Sequence, residues 1–461
     1  MTTLPPNPPP APPTSLEISR LRRRLRLAAF GVAVFVVTLA AGLHAAGPAT
    51  SPVGRGFGDD LVPSYMAGTF VRLGRADLLM DPAAAEWFQA DLRRSAGLEQ
   101  HGRTGPWLNP PFFAWLFVPL SALPYWAALW TWFGLNATML AASVGLLYRL
   151  LPAGRRAVGD AAAIALLVLA SMPCLQALAC QQNTFLSLLI LTGAVTLARA
   201  DRSVAAGAVA GLLVFKPQLA VIVCGALAVT AGRRAVVGTA LTVLALLLAT
   251  VIAMPGALSD YFARLPTVLP YLRTDRPYFW DRQATFLGFW RLLLGGRTGG
   301  PNPPVVTLLW LSGAAAVAVG LVRLVRAAGR LAAGSADRDG LLAAAVVAAP
   351  LLMPYYMDYD LLLLAVPATL FGSARLRDGR RPGDRLAVLV WVATYAWLYV
   401  NAAAADATRV SVTVLLLAAL MAVTVWRGRA GVPLIRNEAR PNQPKTVGTS
   451  VPLEPAARRA A

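Results

Sequence analysis

The chain's 461 residues are 57% hydrophobic and only 14% charged, and 42 Lys plus Arg against 22 Asp plus Glu leave a formal charge of +20. Apolar runs long enough to cross a bilayer as helices, about 17–25 residues, recur from end to end, which excludes a soluble globular domain. The arginines fall in short clusters between those runs and not on one basic domain, which excludes a nucleic-acid partner.

In chain order, residues 1–19 open with "MTTLPPNPPPAPP" and are expected to form a disordered, Pro-rich cytoplasmic arm. "RLRRRLRL" (20–27) then marks the cytoplasmic edge of a retained first span, 27–47. Further apolar runs lie at 125–149, 160–178, 183–198, 203–214, 218–231, 235–254, 304–326, 340–353, 358–373, 386–402 and 408–427, and 428–461 forms a disordered cytoplasmic tail. The stretch 112–123 is read as a re-entrant or interfacial helix. Residues 203–231 are read as two half-spans meeting at Phe215-Lys216-Pro217, because proline donates no backbone N–H and restricts the residue before it. Alternation then places six arginine-rich linkers inside, around 149–156, 199–202, 233–234, 323–330, 374–385 and 427–429. It places two long polar loops, 48–111 and 255–303, outside, with three short turns at "CQQN", "PYYMDYD" and Asp406. The fold class expected is an all-α polytopic membrane protein in the multi-pass cytoplasmic (inner) membrane, its spanning domain covering 20–427.

The chemistry gathers on the outer side. Asp59 and Asp60 precede an amphipathic stretch, where a carboxylate either caps a helix or serves as a general base. "WLNPP" (107–111) offers aromatics that suit a sugar wall or a membrane-interface anchor. Arg264, Arg273, Arg276, Arg282 and Arg291 alternate with aromatics in the second loop, a pattern that suits phosphate oxygens or an amphipathic helix lying on lipid. A lysine at membrane depth costs roughly 2.5–3.5 kcal/mol on lenient scales, so Lys216 at a helix break calls for a ligand or a partner. "GAVAG" (207–211) reads as close helix packing. Cys174, Cys180 and Cys224 lie in apolar stretches with no ligand-like spacing, and His44 and His101 stand alone, so neither a disulfide framework nor a metal site is expected, and no cofactor.

Together "DLVPSYMAG" with "NPPFFAWLFVPLSALPY", "QQNTFLSLLILTGAVTLARADRSVAAGAVAGLLVFKPQL", the arginine–aromatic loop and "PYYMDYDLLLLAVP" resemble glycosyltransferase family 87, membrane transferases of the GT-C class. The resemblance runs roughly over 30–400. It implies a GT-C-like bundle of about 11–13 transmembrane helices with extracytoplasmic catalytic loops, and an Asp60 base (Asp59 as fallback) followed eight residues later by Gly68. It also implies donor-phosphate ligands at Lys216, Arg273, Arg276 and Arg282, and a substrate pocket from Tyr65, Asn109, Gln181, Gln182, Asn183, Tyr356, Asp358, Tyr359 and Asp360. Where the family carries Gly-Gln, this chain has Cys180-Gln181; where its phosphatidylinositol-mannoside branch is similar to P-x-x-W-D-H-H-L, Tyr359 and Asp360 replace two histidines. The activity implied is inverting transfer of a hexose or pentose, mannose foremost, from a polyprenyl-phosphate donor to a glycolipid or cell-envelope glycan. A secondary transporter or lipid flippase is the rival reading, since broken helices and a buried lysine also describe a transport site.

Overall fold

The computed structural model describes residues 13–45, 58–98, 105–274, 279–328, 336–381 and 383–430. The helices in order are α1 (Ser15–Ala45), α2 (Leu61–Arg72), α3 (Pro82–Ala96), α4 (Tyr125–Arg149), α5 (Asp160–Leu169), α6 (Met172–Cys180), α7 (Thr184–Arg199), α8 (Ser203–Gly211), α9 (Pro217–Ala231), α10 (Arg233–Ala253), α11 (Ala257–Thr274), α12 (Phe286–Gly295), α13 (Pro304–Ala328), α14 (Ala336–Leu352), α15 (Ala365–Asp378), α16 (Asp384–Trp397), α17 (Asn401–Thr408) and α18 (Val412–Ala430). No strand occurs among the described residues beyond an isolated bridge between Gln283 and Met357. The protein is an all-α polytopic membrane protein.

Local chemistry sets the ends of these helices. α1 begins inside the expected 1–19 arm because Thr14 and Glu17 form a reciprocal cap: the Glu17 carboxylate accepts from the Thr14 N–H at 3.0 Å, and the Thr14 hydroxyl accepts from the Glu17 N–H at 3.3 Å. α3 starts where the Asp81 side chain accepts from the Ala83 and Ala84 amides, with Pro82 at its first position, and stops at Gly97 in the left-handed region (φ 69°).

Among the described residues four helices are long and apolar enough to cross a membrane: Ser15–Gly42 within α1, α10, Pro304–Arg326 within α13, and Asp358–Asp378, which is α15 with the 3-10 turn before it. The expected run 160–178 is broken: α5 and α6 meet at 62°, and α16 and α17 meet at 78°. With each bent pair taken as one span the described residues hold up to six, and shorter apolar helices, α7, α9 and α12 among them, lie beside these; length and composition alone do not reach the expected 11–13. The interfacial piece expected at 112–123 consists of two 3-10 segments, Pro111–Phe117 and Leu120–Ala122, with no α-helix.

α14 lies at the centre, with Leu341 to Leu351 almost wholly buried, the pattern of a helix apolar all round. α10 instead turns Val237, Leu241, Leu244 and Ile252 outward, the surface lipid would cover. α8 and α10 touch backbone to backbone: a Cβ on Gly207 would stand 1.9 Å from the Ala235 carbonyl oxygen, and one on Gly238 2.0 Å from that of Val204. This is the close packing that "GAVAG" predicted.

Ion pairs draw most of the arginine-rich linkers together. Asp160 pairs with Arg22 and Arg26, both at 3.2 Å. Asp339 pairs with Arg199 and Arg377, both at 3.5 Å, and Asp384 with Arg375 at 3.4 Å and with Arg427. The Leu150 carbonyl accepts from both Arg199 and Ser373. These linkers occupy one end of the bundle, and the polar loop clusters occupy the other.

Candidate active site

At the loop end, residues 58–60 form a turn laid against the C-terminus of α6. Gly58 takes a left-handed conformation (φ 82°), where a Cβ would meet the Leu129 side chain at 2.7 Å. Its N–H donates to the Ala179 carbonyl at 2.9 Å, and the Asp60 N–H donates to that of Cys180 at 3.2 Å. The Tyr125 hydroxyl donates to the Gly58 carbonyl at 3.2 Å.

Asp60 stands at the N-cap of α2, yet its side chain makes no capping bond. The carboxylate instead accepts from Gln182 Nε2 at 2.5 Å. Burial raises its proton affinity above that of an ordinary aspartate; Asp59 adds to the rise, while the Gln182 bond and the Arg282 charge oppose it. Asp60 is therefore a half-buried carboxylate not engaged in capping its helix.

Gln181 and Gln182 diverge. Gln181 adopts φ 59°, a left-handed conformation costing a non-glycine residue roughly 1–2 kcal/mol. Its side-chain oxygen accepts from Asn136 at 3.3 Å and its carbonyl from the Trp132 indole at 2.9 Å, which fixes the turn. Gln181 is thus buried against α4, and Gln182 reaches Asp60. Asn183 begins α7 without a side-chain cap, and its buried Oδ1 has no hydrogen-bond partner.

The second half of the centre is the turn 356–360, a 3-10 segment over Asp358–Leu364. Lys216 Nζ lies 2.7 Å from Asp360 Oδ1, which also accepts from the Thr184 hydroxyl at 2.6 Å. Arg282 grips Asp358 with a fork, Nε at 3.0 Å and an Nη at 2.9 Å. Burial disfavours the Arg282 charge, but Asp358 outweighs burial and holds the guanidinium firmly protonated. The Tyr359 ring lies 5.9 Å from that guanidinium. The neighbouring backbone locks the turn: Ala284 N–H donates to the Tyr356 carbonyl at 2.8 Å, Gln283 Oε1 accepts from the Tyr356 N–H at 3.0 Å, and the Tyr356 hydroxyl donates to the Asp360 carbonyl at 2.9 Å. Asp60, Arg282 and Tyr359 lie within electrostatic reach of one another, which brings the two halves close together.

The chain breaks as expected at Lys216. A 3-10 turn, Leu212–Phe215, ends there, and Pro217 opens α9. Phe215 stacks on Phe113 at 4.3 Å, tying the break to the 3-10 segment Pro111–Phe117. Trp107 is 1% exposed and packs on Phe113 and Phe117, so it forms part of the core and not an open sugar wall. Tyr65 donates to the Leu123 carbonyl at 2.8 Å and packs edge-on against Tyr125, one layer behind the Asp59–Asp60 turn. Asn109 is half-buried and makes no hydrogen bond to a described residue. Arg276 and the side chain of Arg273 lie outside the described residues. Sequence reasoning passed over Thr184 and Gln283. Thr184 looked like an ordinary helix start, and Gln283 was hidden by the charged residues around it. Among the described residues no three His, Cys, Asp or Glu side chains come together as a metal site.

A family model, glycosyltransferase family 87, matches residues 107–348, just over half of the chain. The chain belongs to glycosyltransferase family 87. No curated protein and no solved structure gives a significant match. Family 87 membership makes this a sugar-transferring membrane enzyme and sets the carrier reading aside. The matched stretch includes Asn109, Gln181 to Asn183, Lys216 and Arg282; Asp60 and the 356–360 turn lie outside it, and the contacts above are what join them to it.

Proposed function

We propose that this family 87 enzyme transfers a hexose or pentose, mannose foremost, from a polyprenyl-phosphate donor to a glycolipid or cell-envelope glycan acceptor. The reaction takes place at the outer face of the cytoplasmic membrane, with inversion. Asp60 takes the proton of the acceptor hydroxyl, whose oxygen forms the new bond to the anomeric carbon. The anomeric carbon–oxygen bond to phosphate breaks, and its electron pair leaves on the lipid phosphate, which gains a negative charge. Lys216 and Arg282 stabilise that charge. Each keeps donors for this purpose: the Asp360 contact uses one of the three N–H groups of Lys216, and the Asp358 fork uses Nε and one Nη of Arg282. Asp358 and Asp360 aim the two cations, a positioning role in place of the sugar contact expected from sequence. Gln182 orients Asp60.

The observation that carries this reading is one carboxylate, Asp60, that caps no helix and feels the charge of Arg282, a cation held with Lys216 by the two aspartates of a single turn. Purified enzyme given a panel of polyprenyl-phosphate sugars and membrane acceptors should form a glycolipid with one of them. A product made from a nucleotide-sugar in the absence of lipid donor would overturn the proposal.

A further inference from the structure

Far from this centre, the arginine-rich start of α1 and the loop before α5 border an open surface cavity of about 620 Å³ lined by Ser19, Arg22, Arg23, Arg26, Leu27, Ala157 and Val158. Its walls are organised. Asp160 accepts from Arg22 Nε, Arg26 Nη2 and the Ala157 N–H, and the same two arginines also donate to the Arg155 and Val158 carbonyls. One carboxylate thus fixes two guanidinium groups, each with an Nη1 beyond those bonds, and cancels one of their charges. Arg23 is exposed and has no ion pair among the described residues, so the cavity keeps a surplus of positive charge. The apolar side chains at its rim point outward: Leu27 is 61% and Val158 96% exposed, and Phe30, Val34 and Phe35 continue an uncovered apolar track along α1.

We infer that this cavity binds the phosphate headgroup of an anionic membrane phospholipid, whose acyl chains run along the exposed face of α1. Planar guanidinium groups match phosphate oxygens in pairs. A basic cluster at the foot of an apolar helix is where an anionic leaflet and a protein charge meet. The apolar track argues for a lipid over free phosphate, because a soluble anion would leave it without purpose. This site is independent of the sugar-transfer centre.

The test is native mass spectrometry of the detergent-purified protein with dioleoylphosphatidylglycerol, dioleoylphosphatidylcholine and inorganic phosphate. Phosphatidylglycerol should remain bound where phosphatidylcholine does not, and millimolar phosphate should not displace it. Arg23→Gln, which removes no hydrogen bond or ion pair among the described residues, should cut retention by about fivefold, the effect of a single surface cation, with the melting temperature in lipid-free detergent unchanged, and Arg23→Gln with Arg26→Gln should cut it further. Equal retention of phosphatidylcholine, displacement by free phosphate, or undiminished phosphatidylglycerol on the double variant would each overturn the inference. Should the double variant lose melting temperature, Arg23→Gln alone, which breaks no recorded contact, decides the matter by the same comparison.

Discussion

Asp60 carries two opposed demands. Burial raises its folded-state proton affinity, so folding favours the protonated acid: the associated stability is present below the unfolded pKa and lost as pH rises through the folded value. Catalysis needs the ionised form. Asp60→Asn should therefore lower turnover by ~10²–10⁴-fold, as for a lost general base, while melting temperature holds or rises. The acid limb of kcat/KM should lie above the usual aspartate value of about 3.9 and vanish from any residual activity of the variant. Lys216 gives a different signature. Removing one partner of a buried pair costs roughly 3–5 kcal/mol, so Lys216→Met alone should accumulate poorly because Asp360 is stranded. Lys216→Met with Asp360→Asn should restore the melting temperature and leave transfer impaired. If the double variant transfers sugar at the normal rate, the pair serves the fold alone. The individual groups, Asp60, Lys216, Arg282 and the "DYD" turn, were legible in the sequence as charges in improbable places. Their pairing was not, because 144 residues separate Lys216 from Asp360 and 76 separate Arg282 from Asp358.

Helices were legible wherever an apolar run ended at strong punctuation. α4 coincides with the run 125–149 between Pro124 and the arginine linker, and α9 starts at Pro217 as the helix-break argument required. The bends were less legible. Ala170-Ser171 interrupts 160–178 without a charge, and the apolar run passes across the 62° turn unmarked. That bend delivers the α6 C-terminus to the 58–60 turn. Glycine contacts give the sharpest tests at this scale. Gly207→Ala and Gly238→Ala each drive a methyl into a carbonyl oxygen across α8 and α10 and should abolish accumulation in the membrane, whereas Gly134→Ala, with open space around it, should be tolerated. Gly68→Ala would set its Cβ 2.4 Å from the Phe117 carbonyl oxygen, pushing α2 and Asp60 off the 3-10 platform. Turnover should fall more than expression; wild-type turnover would mean that α2 is free to shift.

For the whole molecule, the arginine clusters were a sound guide to which linkers share an end, because the Asp160, Asp339 and Asp384 pairings collect them there. The side of the membrane that each end faces is an expectation from the charge rule, and labelling tests it. A cysteine at Arg273 should react with a membrane-impermeant thiol reagent in intact cells, and one at Arg156 only after lysis; the reverse pattern would invert the topology. The pairing of Lys216 with Asp360 and of Arg282 with Asp358 has an electrical consequence. An elementary charge crossing the full membrane field gains or loses about 2.3 kcal/mol per 100 mV, but a neutral pair that stays in place feels no net force. Enzyme reconstituted into vesicles should therefore turn over at the same rate whether or not a potassium-diffusion potential is imposed, and a rate that follows the potential would mean that these charges move through the field.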